Sequence, residues 1–265
     1  MSRSDGLRLA LTTYTVLPVR GPAQLDRRTA GQAMALGPLV GLLLELPVGG
    51  VLLAMRLLTP PSSPPLLACV LALTALALLT RGLHLDGLID TTDALASYRP
   101  PEQARAVAKS PGAGAPGVAA LVLVVGLQVA ALLTCVQAGR GTGSLLTALI
   151  TARLAVTLAC TRTDAATDTG LGSLVARTVS LPVAAAVAVL SLALCMGLAA
   201  VDDAGGLPAA AQVLVAVGLG LGLARVLRRH AVRRLGGLTG DVLGALVEVT
   251  TAVVLVVLAC DPSSS

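Results

Sequence analysis

The sequence predicts an all-α fold: a polytopic membrane helix bundle of about seven transmembrane helices, forming one domain over residues 1–265, with its catalytic loops on the cytoplasmic face. Three observations predict it. Only 12% of the 265 residues are charged and 55% are apolar, whereas soluble domains run at about a quarter charged. Mean hydropathy is +0.87. Aliphatic stretches of membrane-crossing length recur along the whole chain. So few polar residues cannot cover a water-soluble core, so lipid covers most of the surface.

Residue choice agrees with this. Phe and Trp are absent and the only Tyr residues are Tyr14 and Tyr98. Leu, Val, Ala and Gly suffice for membrane helices packed through small side chains, although the usual interfacial aromatic belts are missing. The net charge of +5 comes with no basic–aromatic patch for base stacking, which argues against a nucleic-acid partner. Cys69, Cys135, Cys160, Cys195 and Cys260 are far apart in or at the ends of apolar stretches, with no CxxC pair. They are expected to be small buried residues rather than disulfides or zinc ligands.

The elements follow in order. No cleavable signal peptide is visible, and residues 1–19 suit a short amphipathic helix along the interface before Pro18. Spans are expected at 33–57, 66–85, 117–138, 144–160, 179–201, 207–227 and 242–260, with the second and fourth short. Breaker-rich connections separate them at 60–65, 100–101, 111–117, 139–143 and 202–206. Sixteen Lys and Arg residues fall on the N-terminal segment and the connections after spans two, four and six. The other side receives Arg56 and Arg140, and Arg153 lies within span four. The positive-inside rule then puts the N-terminus in the cytoplasm and the C-terminus outside. Asp202, Asp203 and Asp261 fall on the outer face; most other acids crowd the basic face, which favours an enzyme acting there over a transporter with a polar path through mid-membrane.

Two segments carry the chemistry. In Gly-Leu-His-Leu-Asp-Gly-Leu-Ile-Asp-Thr-Thr-Asp-Ala-Leu at 82–95, Asp86, Asp90 and Asp93 stand at i, i+4 and i+7 on one helical face. Carboxylates so spaced repel one another unless a cation lies between them, and Mg²⁺ with substrate phosphates suits such a set. A solvated acidic helix end is the plainer alternative. His84 is a candidate acid/base or phosphate ligand beside a structural reading; His230 sits in a basic run. The second segment, 233–248, reads Arg-Arg-Leu-Gly-Gly-Leu-Thr-Gly-Asp-Val-Leu-Gly-Ala-Leu-Val-Glu. Arg233 and Arg234 offer forked donors to phosphate, the glycines allow close approach, and Thr239 or Asp241 suits the cap of the following helix. The alternative is a basic membrane anchor followed by a flexible turn. Lys109 offers a further phosphate contact in a loop at 104–117 that otherwise reads as solvated. Glu45 and Arg153 are the deepest ionisable residues and Glu248 suits the bundle interior.

Together, in this order, the two segments resemble the cobalamin synthase family, the adenosylcobinamide-GDP ribazoletransferases. The likeness extends to Leu-Pro-Val at 17–19 and Gly-Pro-Leu-Val-Gly at 37–41. It implies transfer of the phosphocobinamide group from adenosylcobinamide-GDP to α-ribazole or its 5′-phosphate, releasing GMP, with Mg²⁺, at the bacterial inner membrane. It also implies Asp86, Asp90 and Asp93 as metal ligands, Lys109, Arg233, Arg234 and Thr239 as substrate contacts, and Asp241 and His84 as catalytic groups. A homo-oligomer or a complex with other pathway enzymes is compatible with it. The chain departs from the family pattern at Ala94, Ser110, Pro111, Pro116 and Thr167, where the family has Gly, Asp, Ser, Phe and Arg. Two rival readings are a CDP-alcohol phosphotransferase, whose Asp spacing differs, and a small-solute transporter.

Overall fold

The computed structural model describes residues 4–22, 24–60, 62–201 and 206–260. Arg3, Asp202, Asp203 and Asp261 lie outside the described residues, as do parts of the connections at 60–65 and 202–206. The helices are α1 (Ser4–Tyr14), α2 (Arg27–Ala35), α3 (Gly37–Leu58), α4 (Leu66–Leu79), α5 (Leu83–Ala96), α6 (Pro101–Ala108), α7 (Ala115–Gln137), α8 (Gly141–Arg162), α9 (Gly170–Val175), α10 (Leu181–Val201), α11 (Gly206–Leu235) and α12 (Gly240–Ala259). Among the described residues no strand forms; Ala165 and Leu238 make one isolated parallel bridge.

All seven apolar stretches fall on helices, but local chemistry moves their ends. The first breaks at Leu36 into α2 and α3, and Pro38 in the first turn of α3 sacrifices no hydrogen bond there. Asp26 caps α2, its carboxylate accepting a bond from the Thr29 N–H at 2.7 Å. The Thr29 backbone bond holds the Asp26 carboxyl below its ordinary range. The second stretch differs most from expectation. Helix α4 ends at Leu79, Arg81 (φ 58°) and Gly82 (φ 64°) enter the left-handed region, and the chain turns by 86° into α5. Glycine accepts that conformation at low cost, and a straight helix cannot pass through it. Residues 83–85 therefore belong to a helix of another direction.

By length and apolar composition, α3, α7, α8, α11 and α12 qualify as membrane spans, and the count becomes six if the bent α4–α5 pair is one span. The described apolar part of α10, Leu181–Gly197, is shorter. Among the described residues five to six spans meet these criteria, and the expected seven are not confirmed. Two connections expected as loops contain helices. Pro101, expected as a breaker, occupies the opening of α6, where proline is favoured. Helix α9 begins at the left-handed Gly170 (φ 85°).

Helix α8 is the axis of the bundle, buried along nearly its whole length and packed by α3, α7, α10, α11 and α12. Its contact with α3 runs along Gly37, Gly41, Glu45 and Gly49, one residue per turn. A Cβ at Gly41 would stand 2.7 Å from the Leu149 carbonyl oxygen, so the backbones meet directly, as small residues permit in membranes. Four cysteines are buried and free as expected; Cys260, at the end of α12, is exposed because the helix stops there.

Gly41 and Gly50 separate this seam from the lipid face, since a Cβ at Gly50 meets nothing within 4 Å. Gly41→Val should cost about 1–3 kcal/mol, read as a lower melting temperature in detergent. Gly50→Val should leave melting nearly unchanged.

Candidate active site

The two chemically suggestive segments meet because their glycines let α5 and α12 cross at van der Waals distance. A Cβ on Gly87 would lie 2.7 Å from the Asp241 carbonyl oxygen and 3.1 Å from the Gly244 Cα; one on Gly244 would lie 3.2 Å from the Cα atoms of Gly87 and His84. Any side chain at the crossing would push the helices apart, and with them His84 and Asp86 from Asp241.

The start of α12 is fixed from both sides. Gly236 (φ 81°) and Gly237 (φ 154°) turn the chain after α11. The Leu238 N–H then donates to the Asp164 carbonyl at 2.8 Å, and its own carbonyl accepts from the Ala166 N–H at 3.1 Å. Thr239 is the cap: its hydroxyl oxygen accepts a bond from the Val242 N–H at 3.2 Å, leaving Asp241 in the first turn. Arg105 Nη1 donates to the Leu235 carbonyl at 2.5 Å and ties α6 to the end of α11. The connections after α4, α8 and α11 thus gather at one end of the bundle.

They enclose a cavity of ≈ 320 Å³ lined by His84, Lys109, Thr239 and Asp241, with Arg105 and Thr167. Asp90 is half-buried within electrostatic reach of Asp86, Asp241 and Asp93; Asp241 feels both Asp86 and Lys109. Asp93 is further engaged. Its Oδ2 accepts from the Gly114 N–H at 2.6 Å and its Oδ1 from the Gly117 N–H at 2.8 Å, pinning the start of α7 to α5. Arg233 is exposed. The Arg234 guanidinium lies 5.5 Å from the centre of the Tyr98 ring, a cation–π contact, with Nη2 buried and without a hydrogen-bond partner. Neither arginine lines the cavity.

His84 is buried, its ring centre 6.1 Å from that of Tyr14, in reach of the charge on Arg153. Arg153, fully buried at the middle of α8, also faces Glu248 and Tyr14. Glu248 turns inward as expected and accepts a bond from Gln128 Nε2 at 2.8 Å. Glu45 lies apart from this group, both carboxylate oxygens buried without a partner. His230 is exposed on α11. Of the departures from the family pattern, Ala94 and Thr167 line the cavity. Pro116 sits in the first turn of α7, and the Ser110 hydroxyl donates to the Val107 carbonyl. Sequence reasoning missed Arg105 and Gln128. For Arg105 a signal existed: it precedes Lys109 by one helical turn.

Among the described residues no three His, Cys, Asp or Glu side chains converge closely enough to hold a metal ion unaided. The donor chemistry nevertheless fits a hard divalent cation: the neighbouring Asp residues offer oxygen only, and a diphosphate would fill the remaining positions.

A helical membrane protein whose bundle ends in a cavity holding His84, Lys109 and Asp241, with the Asp86, Asp90 and Asp93 row beside it rather than in its lining, is the class these features define. The cobalamin-5-phosphate synthase family model matches residues 6–259, and the chain belongs to that family. It is 46% identical over 260 residues to an adenosylcobinamide-GDP ribazoletransferase of Frankia casuarinae, covering 95% of this chain and 93% of that protein. The enzymes of the same name from Nocardioides sp. and Corynebacterium efficiens are 43% and 35% identical, over 95% and 96% of this chain and 96% and 90% of their own lengths. No solved structure matches. The phosphotransferase and transporter alternatives receive no support from these relatives.

Asp93→Ala should free the segment between α6 and α7. Limited proteolysis is expected to cut between residues 109 and 117 faster than in the parent chain, with stability lowered by about 1–2 kcal/mol for two lost amide–carboxylate bonds, read as a lower melting temperature.

Proposed function

We propose that the chain is an adenosylcobinamide-GDP ribazoletransferase: it joins α-ribazole, or its 5′-phosphate, to the phosphocobinamide group and releases GMP. The observation that carries this is the Gly87–Gly244 crossing, which brings His84 and Asp241 to one cavity edged by Lys109 and puts Asp86 and Asp90 within electrostatic reach of Asp241. A ribazole hydroxyl oxygen forms the new bond to phosphorus as the bond to the GMP oxygen breaks, and the hydroxyl proton passes to a carboxylate. Asp241, on the cavity wall, is the base assigned here, and His84 behind it orients the acceptor or carries the proton onward.

Asp86, Asp90 and Asp93 are the residues assigned to Mg²⁺. When bound, the ion screens the diphosphate and the charge developing on the leaving GMP. Asp93 in addition holds the α7 start in place through its two amide bonds. Lys109 reaches phosphate from the cavity, with Thr239 beside it; Arg233 and Arg234, outside the cavity lining, are the further phosphate contacts assigned, Arg234 through its partnerless Nη2. The arginine-rich connections support a cytoplasmic orientation of this end of the bundle, and the bacterial source of the relatives supports the cell membrane as its location.

Purified protein in detergent, given adenosylcobinamide-GDP, α-ribazole and Mg²⁺, should yield GMP and a cobalamin product in equal amounts, and EDTA should stop both. Asp90→Asn should lower turnover by about a hundredfold or more while melting stays near that of the parent chain. Full turnover in EDTA, or in the Asp90→Asn protein, would overturn the metal assignment. Absence of any corrinoid product from well-folded parent protein would overturn the reaction.

A further inference from the structure

A second cavity, of ≈ 510 Å³, opens on the side of the bundle between α8, the start of α10 and α11. It shares no residue with the cavity of His84 and Asp241. Its walls are of two kinds. Leu158, Leu221 and Leu246 make one part apolar, while Arg162, Arg225 and Arg228 supply three guanidinium groups at the other. Arg228 is held by Thr163 Oγ1 at 2.9 Å. Among the described residues, the Arg162 and Arg225 side chains make neither an ion pair nor a hydrogen bond. The N-terminus of the 21-residue α10 lies at the rim, at Leu181, and adds the positive end of a helix dipole.

The placement of the arginines matters as much as their charge. Along α11 the exposed apolar residues run from Leu214 through Leu219 and Leu223 to Val226, a lipid-facing stripe. Arg225 and Arg228 stand where that stripe ends, and Arg162 closes α8 at the same level. A positive pocket at the edge of the apolar zone, continued by an aliphatic groove on the lipid side, complements one kind of molecule in both charge and polarity. We infer that this cavity is a binding site for an anionic phospholipid, its headgroup phosphate among Arg162, Arg225 and Arg228 and an acyl chain along Leu221 and Leu158. Basic pockets between membrane helices take such headgroups for this reason. The occupant is a lipid rather than free phosphate because the aliphatic half of the groove contributes nothing to an inorganic ion.

Gly222 makes the test specific. It lines the groove, and a Cβ there meets nothing within 4 Å, so a larger side chain can be introduced at the groove without a clash at its first carbon. The full chain, purified in a neutral detergent, is titrated with phosphatidylglycerol, with phosphatidylcholine and with inorganic phosphate, reading bound lipid by native mass spectrometry and stability by melting. The parent chain should retain phosphatidylglycerol selectively and melt higher with it. Gly222→Leu, which changes no charge, should lose that retention at an unchanged lipid-free melting temperature. The Arg162→Gln/Arg225→Gln double variant should bind about 30-fold more weakly, and the double Lys variant should recover most of the loss. Equal retention of the two lipids, undiminished phosphatidylglycerol binding by Gly222→Leu, or equal stabilisation by inorganic phosphate would each overturn the assignment.

Discussion

Helices α5 and α12 can approach closely only because Gly87 and Gly244 face each other where they cross. Helix α5 carries the Asp row and His84; α12 opens with the cap at Thr239 and with Asp241. Neither helix holds a complete set of groups, and the contact between them is what makes a site. Its other supports serve the same end. Leu238 hydrogen-bonded into the 164–166 segment, Arg105 on the Leu235 carbonyl and Asp93 on two α7 amides all fix the helix ends around that crossing.

The rest of the bundle shows how lipid as solvent divides the work. Packing between spans comes from small residues and close backbones, as along Gly37, Gly41 and Gly49 against α8, since aliphatic side chains gain little by leaving lipid for one another. Buried polar groups are few. Arg153, Glu248 and Gln128 share one region behind His84, where an arginine and a carboxylate on neighbouring helices offset each other's charge. Most other charge collects at one end, beyond the lipid-facing stripes.

Much of this was legible in the residue order. Low charge and recurring aliphatic runs gave the helical membrane fold, and the i, i+4, i+7 spacing put Asp86, Asp90 and Asp93 on one face of a helix. Thr239 was among the expected caps because a hydroxyl before a helical run accepts an N–H bond. Other features depended on tertiary context. Hydropathy does not register the left-handed pair Arg81–Gly82, so the second span ran through an 86° turn. Pro101 breaks a helix from within but begins one from outside, and composition alone does not distinguish the two. Arg233 and Arg234 are adjacent in sequence and similar in chemistry, yet a helix points neighbouring residues about 100° apart, so only Arg234 reaches Tyr98.

The bend between α4 and α5 also bears on how such a chain divides its evolutionary freedom. Because α5 leaves the direction of α4, Asp86, Asp90 and Asp93 belong to a segment whose orientation is set by α12 and α7 rather than by the bilayer. Lipid-facing positions then answer mainly to insertion, and they can drift among aliphatic residues as membrane composition changes between lineages. Selection for chemistry falls on a short helix and a handful of glycines. A chain built in this way keeps its reaction while its outer surface adapts to a different host membrane.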